Sequence, residues 1–450
     1  MAYTLIHNAS VVNEGTICKA SVVIENDTIY GIYPVTEEPN FDFSNKIDAT
    51  DLFLLPGVID DHVHFREPGL THKANIYSES RAAVAGGVTT IFDMPNCIPQ
   101  TTTVQALEEK FSIAQKSCAT NYSFYIGATK TNLSEIEAID PNSICGIKLF
   151  MGSSTGGMLV DDAKSIRQLF SVAKMPVAAH CEDTDIINRN ANIVKMKVGD
   201  SPAIHYHPVI RNQEACYAST AKAIDIAAGT DVKLHILHLS TAKELQLFSK
   251  QPLSDKRITA EACIAHLVFS FEDYETLGAK IKCNPSIKHR DDRFALRAAL
   301  TDGTIDIVGT DHAPHLLKEK EGGALTATSG MPTHPYSLLS MLNLADQGVL
   351  KLTDIARLMC HNPADLFGIC KRGYIRSGYK ADLVLVSKCS ANNPNIADSH
   401  LNMCGWNPLE GKSFGWNIHS TFVNGQIAYK EGKISDKIFG ERVLFCNRNS

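Results

Sequence analysis

From residue 53 onward the chain repeats one grammar, a short apolar run followed by a helical stretch, and this repeat limits the fold more than any other feature. The apolar runs fall at residues 57–65, 88–94, 123–127, 146–151, 176–180, 233–240, 258–263 and 306–310. Helical periodicity fills stretches between them, such as 76–85, 161–173, 214–228 and 242–250, and Gly86-Gly87 punctuates the first. A strand that is apolar on both faces must be covered on both faces, so these runs predict a parallel sheet with helices outside it. Eight such units predict closure into a (β/α)8 barrel, making the fold class α/β. At ~150 residues per domain, 450 residues suggest about three domains, but a single barrel absorbs 250 or more.

Both ends of the chain read differently. Residues 4–6, 10–12, 20–24 and 28–32 are rich in β-branched and aromatic residues, with Asn26-Asp27 as a turn. Helices are expected at 337–345 and 353–359. Beyond them, 374–375, 381–386, 421–423 and 426–429 return to strand grammar, and Asn424-Gly425 reads as a hairpin turn. The expectation is a barrel over residues 55–365 and a small β-sandwich domain built from residues 1–54 and 366–450. Residues 392–408 read as a loop-rich insertion.

Composition excludes several function classes. The charge balance, 43 − 49 = −6, supplies no basic face for nucleic acid or a membrane surface. No 18-residue apolar run and no leader-like start occur. The 13 cysteines are scattered from Cys18 to Cys446 with no C-x-x-C, which suggests neither a disulfide framework nor a thiolate zinc site. That usage is typical of a reducing cytosol, so a cytoplasmic location is expected.

In such a barrel, functional side chains come from the C-terminal ends of the strands. Asp60-Asp61-His62-Val63-His64-Phe65-Arg66 ends the first strand, and alternation lets His62, His64 and Arg66 share one face. Two imidazoles at i and i+2 suit a divalent ion, and Arg66 beside them suits an anion. A solvated strand end explains His-x-His alone equally well. Three further strand ends carry polar residues: His180, His238 and Asp311. His235 has opposite strand parity to His238, so one of the two is expected to face the centre, and His238 lies nearer the strand end. Lys148, inside the run 146–151, is costly to bury as an ammonium. The residues alone favour an amine that pairs with a carboxylate or snorkels to water; a carbamate formed with carbon dioxide is the alternative.

Taken together, these motifs resemble the cyclic-amidohydrolase branch of the amidohydrolase superfamily. They are Pro56-Gly57-Val58-Ile59-Asp60-Asp61-His62-Val63-His64, Ala85-Gly86-Gly87-Val88-Thr89-Thr90, the Lys148 strand, Gly309-Thr310-Asp311-His312-Ala313-Pro314, Asn362-Pro363-Ala364 and Ala381-Asp382-Leu383-Val384. Within that branch, His62-Val63-His64-Phe65-Arg66-Glu67-Pro68-Gly69 and Met94-Pro95-Asn96 resemble the dihydroorotases, whose substrate carries a carboxylate outside the scissile amide.

The resemblance implies a centre of two divalent metal ions, zinc fitting the donors best and cobalt or manganese also suitable. His62, His64 and Asp311 would bind one ion and His180 and His238 the other, with carboxylated Lys148 as the bridge. The following loop, 152–158, has no acid before Asp161 to take the lysine's place, and its glycines make it a candidate cover for the substrate. Arg66, Asn96, His315 and Asn284 would bind substrate. A metal-activated water would open the ring of L-dihydroorotate to N-carbamoyl-L-aspartate, with Asp311 as general acid and base. A homodimer is a family expectation.

Two stretches depart from the pattern. Ala265 stands where many relatives have a histidine, so His266 is read as structural, and 330–335 differs from the commoner substrate-facing loop. The rival readings are another cyclic amidase acting on uncharged rings and a catalytically dead scaffold. All six ligand positions being filled argues against the scaffold.

Overall fold

The chain opens with five strands of one sheet, β1 (Tyr3–Asn13), β2 (Thr16–Glu25), β3 (Thr28–Pro34), β4 (Phe43–Asp48) and β5 (Phe53–Pro56). Then it enters the barrel. The barrel strands are β6 (Val58–Val63), β7 (Val88–Asp93), β8 (Asn121–Gly127), β9 (Gly146–Phe150), β10 (Val177–His180), β11 (Leu234–Ile236), β12 (Ile258–Cys263) and β13 (Ile307–Gly309). All are parallel and pair in chain order from β6 to β13. This computed structural model describes residues 2–37, 39–152, 157–390, 395–397 and 401–446.

The seam between first and last strands is closed by a parallel bridge, Val63 to His312, and by His64 N–H donating to His312 O at 2.7 Å. Buried Asp60 reinforces it. Its carboxylate accepts from Thr310 N (3.1 Å), Thr310 Oγ1 (2.6 Å) and His334 Nδ1 (2.9 Å). Outside the strands, the helix Ile76–Ala85 starts at a capping box between Asn75 and Ser78 and stops at Gly86-Gly87, as its sequence predicts.

After the barrel the chain rejoins the first sheet with β14 (Leu383–Lys388). A two-residue ladder of β15 (Asn395–Ile396) with β16 (Ser413–Phe414) follows, then β17 (Trp416–Val423), β18 (Gln426–Lys430) and β19 (Lys433–Ile434). Here β14 inserts antiparallel between β5 and β17, so both chain ends share one nine-stranded sheet. Its inner face, with Ile6, Val22, Ile29, Leu54, Leu385 and Phe422, forms a core separate from that of the barrel. The first crossing between the two units is a single residue. Gly57 links β5 to β6, and a Cβ there would lie 2.2 Å from Thr89 Oγ1.

Several local expectations change. Residues 4–6 and 10–12 are one strand, with a register shift between Ile6 and Ala9 where Asn8 adopts φ 63°. Residues 374–375 form no strand: the Tyr374 ring stacks on His361 at 4.3 Å, and Ile375 N donates to Asn13 Oδ1. The helix expected over 242–250 stops after Ala242–Leu245. The reading of the cysteines as unpaired is corrected at one place, because Cys370 and Cys446 form a disulfide across 76 residues. Backbone bonds Cys370 N to Leu444 O and Cys446 N to Gly368 O align them, a pairing that spacing cannot reveal. In the segment read as a loop-rich insertion, residues 392–394 and 398–400 lie outside the described residues. Trp406 from that segment is buried and donates Nε1–H to His315 O at 2.7 Å.

At the end of β7, Asp93 and Lys110 form an ion pair of 2.7 Å between fully buried side chains. Asp93 also accepts from Phe65 N at 2.8 Å, and Lys110 donates to Met94 O at 2.9 Å. Removing one partner strands the other charge, so Lys110→Met should cost ~3–5 kcal/mol of stability. Urea denaturation checks this, and an unchanged midpoint would show that the pair carries no such load.

Candidate active site

A cavity of about 720 Å³ opens at the C-terminal ends of the barrel strands. It is lined by His62, His64, Arg66, Asn96, Lys148, His180, His238, Asn284, Asp311 and His315, so every site residue expected from the sequence faces one space. Three of them sit in the left-handed region of backbone space: Arg66 (φ 68°), His238 (φ 41°) and Asp311 (φ 49°). Such strain in non-glycine residues persists only where the surroundings hold it, and it concentrates at functional sites.

The imidazoles are aimed by partners behind them. His62 Nδ1 lies 3.0 Å from Glu261 Oε1, leaving Nε2 3.3 Å from Asp311 Oδ1. His64 Nδ1 lies 2.7 Å from Asn96 Oδ1, leaving Nε2 3.1 Å from the same Asp311 oxygen. His180 Nε2 lies 3.0 Å from Glu182 Oε2, which leaves Nδ1 2.9 Å from His238 Nε2. A histidine whose outer nitrogen is tied to an acceptor presents its inner lone pair in a fixed direction, the arrangement found around bound metals.

Electrostatics agrees with that reading. Burial lowers the pKa of His64 to about 4 and also lowers those of His180 and His238, so all three imidazoles are neutral near pH 7. Burial opposes charge on His62 as well, but Glu261 and Asp311 outweigh it and raise its pKa. Asp311 is held well below the usual carboxylate range, because His62 and His64 outweigh the burial that would raise it. Lys148 is 1% exposed, and no carboxylate lies within ion-pair distance among the described residues. Burial pulls its pKa down to about 8. Neutral imidazoles, an ionised carboxylate and a buried amine lacking a counter-ion form a donor set that fits divalent cations.

His235 and His238 both point into the barrel, contrary to the parity argument. Strand β11 ends at Ile236, and the positive φ of His238 turns its ring toward the mouth, while His235 faces Asp61 lower in the barrel. His266 Nε2 donates to Pro285 O at 2.9 Å and lies 3.9 Å from Cys283 Sγ, in keeping with a structural role. Of the loop expected to cover the substrate, residues 153–156 lie outside the described residues. The sequence reading missed Glu261, Glu182 and Arg211. A carboxylate inside an apolar strand was the available signal for Glu261. Arg211, which pairs with Glu182, lies on an irregular stretch and gave no signal.

Residues 53–428 match the Amidohydrolase family. This chain belongs to the amidohydrolase family. As an amidohydrolase it is 32% identical over 444 residues to a dihydroorotase from Methanosarcina acetivorans, covering 96% of this chain and 93% of that protein. An allantoinase from Bacillus velezensis is 28% identical over 442 residues, covering 96% and 95%. The L-hydantoinase (dihydropyrimidinase) from Arthrobacter aurescens has the same fold, with a TM-score of 0.91 and 25% identity over 99% of this chain and 100% of that one. The resemblance to dihydroorotases drawn from the motifs is thus borne out at full length. Among the described residues of this amidohydrolase, no helix is long and apolar enough to cross a membrane.

The raised pKa of His62 sets a pH dependence for metal uptake. Its extra proton, favoured by Glu261 and Asp311, must leave before Nε2 can bind an ion. Zinc affinity should therefore rise as pH increases through the His62 pKa, with proton release on binding. Calorimetric titration in buffers of different ionisation heat measures that release, and a zero value would contradict the assignment of His62 as a ligand.

Proposed function

We propose that this amidohydrolase is a dihydroorotase. It would interconvert L-dihydroorotate and N-carbamoyl-L-aspartate by adding water across the ring amide, the third step of de novo pyrimidine biosynthesis. The observation that carries this reading is Arg66. Its guanidinium is buried beside the metal-type donors, and among the described residues no carboxylate pairs with it. A buried cation without a counter-ion, facing a cavity, is a receptor for an anionic substrate group. The rings of allantoin and hydantoin carry no such group.

The surroundings of Arg66 sharpen this role. Its Nε donates to Pro314 O at 3.0 Å, fixing the plane of the guanidinium. Lys73 Nζ, itself paired with Glu319 at 2.7 Å, donates to His315 Nδ1 at 3.1 Å. The proton of His315 therefore sits on Nε2, which donates to Ser329 O at 3.0 Å. Arg66 Nη2, 3.0 Å from that Nε2, finds no acceptor there and is left to bind substrate carboxylate, alongside Asn96. Asn284, whose Oδ1 accepts from Ser329 Oγ at 3.0 Å, would contact the ring edge.

His62, His64 and Asp311 would hold one divalent ion and His180 and His238 another, most suitably zinc, with Lys148 between them. When bound, such ions supply an acidified water and a Lewis acid for the amide carbonyl. Asp311 takes the proton of the attacking water and delivers it to the leaving ring nitrogen; in ring closure the transfers run backwards. With its pKa pulled down to about 8 by burial, Lys148 has a larger neutral fraction near neutral pH than a free lysine. That amine forms an N–C bond to carbon dioxide and loses a proton, becoming a carbamate that relieves the cost of a buried cation.

Asp311→Asn should lower kcat by ~10²-fold or more while retaining much of the bound metal. Turnover near wild type would sink the assignment. Arg66→Ala should raise KM for dihydroorotate by ~30-fold or more, since a desolvated charge pair is lost. Assayed against dihydroorotate, hydantoin and allantoin, the wild-type protein should prefer the carboxylate-bearing ring; preference for an uncharged ring would replace this reading with another cyclic amidase. After labelled carbon dioxide is supplied, a carbamate carbon signal should appear in wild type and be missing in Lys148→Ala.

A further inference from the structure

Beneath the candidate centre lies a second set of buried polar atoms that the proposed chemistry does not use. Asp61, His235 and Glu261 come from β6, β11 and β12, and one ligand-type atom from each lies within 4.8 Å of the others. All three side chains are buried. Both carboxylate oxygens of Asp61, Glu261 Oε2 and His235 Nε2 have no hydrogen-bond partner among the described residues. Orphaned polar atoms gathered in one dry space are rare, and they call for a bound group.

The tautomer of His235 indicates which kind of group. With its single proton on Leu234 O (3.4 Å), Thr259 Oγ1 accepts from His235 Nδ1–H at 2.8 Å, the tautomer that leaves Nε2 open to a cation. Nε2 is then a bare lone pair, 3.4 Å from Asp61 Oδ2. A lone pair facing two carboxylates is repulsive unless something positive lies between them. Two ligands of one tetrahedral ion, each ~2.1 Å from it, stand ~3.4 Å apart. The Asp61–His235 separation has that value. Tying the outer nitrogen of an imidazole to a second group is also how metal-bound histidines are held.

Gly309 on β13 supports the same conclusion. Its φ is not positive, so no left-handed backbone requires a glycine. A Cβ at this position would come 2.8 Å from Glu261 Oε2 and 3.1 Å from Asp61 Oδ1. The missing side chain lets both orphaned oxygens stay where they are. From below, the ring of Phe367 lies 6.0 Å from that of His235 and shields the space from water.

We propose that Asp61, His235 and Glu261 bind a divalent cation of the zinc class in the barrel interior, separate from any ions held by the proposed centre above. Glu261 joins the two levels. Its Oε1 lies 3.0 Å from His62 Nδ1 and accepts from the His238 backbone N–H at 2.8 Å, while Oε2 faces the lower site. A cation there fixes Glu261 and, through it, two residues of the upper centre. This site is independent of the identity of the substrate.

Crystals of the zinc-saturated full-length protein, measured on both sides of the zinc absorption edge, test the proposal directly. An anomalous peak is expected at bonding distance from His235 Nε2, apart from any near Asp311 or His180. Elemental analysis of folded His235→Gln should show one zinc equivalent per chain fewer than wild type. No peak at His235, or unchanged zinc content in the variant, would overturn the proposal and assign the space to a shared proton or a water. Neither readout uses activity, so failure here leaves the substrate reading standing.

Discussion

Closure of the barrel between β6 and β13 is the constraint on which the site depends. His62 and Arg66 lie some 250 residues before Asp311 and His315, and only the seam brings them together. Asp60 carries much of that seam, since its buried carboxylate accepts from Thr310 and from His334. A charge in this position would be costly if left bare, and hydrogen bonds from the opposite strand satisfy it only when the barrel is closed. The same event that completes the fold therefore sets His62 and His64 against Asp311.

Polar groups fill the barrel in levels from mouth to floor. Arg66, His315 and Asn96 stand at the mouth beside the cavity, followed by the imidazoles and Lys148. Below them come Glu261, Asp61 and His235, and beneath these lies the apolar floor of Phe92, Tyr125 and Phe367. The imidazoles are aimed from both sides, His62 by Glu261 from below and His64 by Asn96 from the mouth. Precise placement of the imidazoles follows from this stacking, because a buried imidazole with a satisfied outer nitrogen has no alternative orientation of comparable energy.

Much of this was legible in the residue pattern. Apolar strands ending in His, Lys or Asp announce both the barrel and its functional rim, since burying such groups needs a chemical reason. Where the reading failed, the missing information was three-dimensional. Parity could not sort His235 from His238, because β11 ends at Ile236 and the chain then turns through a positive φ. No spacing rule couples Cys370 to Cys446, which are aligned by a backbone bridge between Ile369 and Phe445. Trp406 reaches His315 from a stretch with no regular pattern, and Arg211 does the same for Glu182.

The sequence by itself determined the barrel and the chain-end β domain and drew notice to His62, His64, Arg66, Lys148, His180, His238 and Asp311, because hydrophobic periodicity and the cost of buried charge are local properties of the chain. Asn96, Asn284 and His315 came instead from the resemblance to dihydroorotases. Tertiary structure alone decided how those residues are used. The tautomer of each histidine, the lack of a carboxylate beside Arg66 among the described residues and the orphaned atoms around His235 depend on which distant groups arrive beside them. Hydrogen bonding and desolvation act over a few ångströms in space, whatever the separation along the chain, and only the closed barrel fixes those distances.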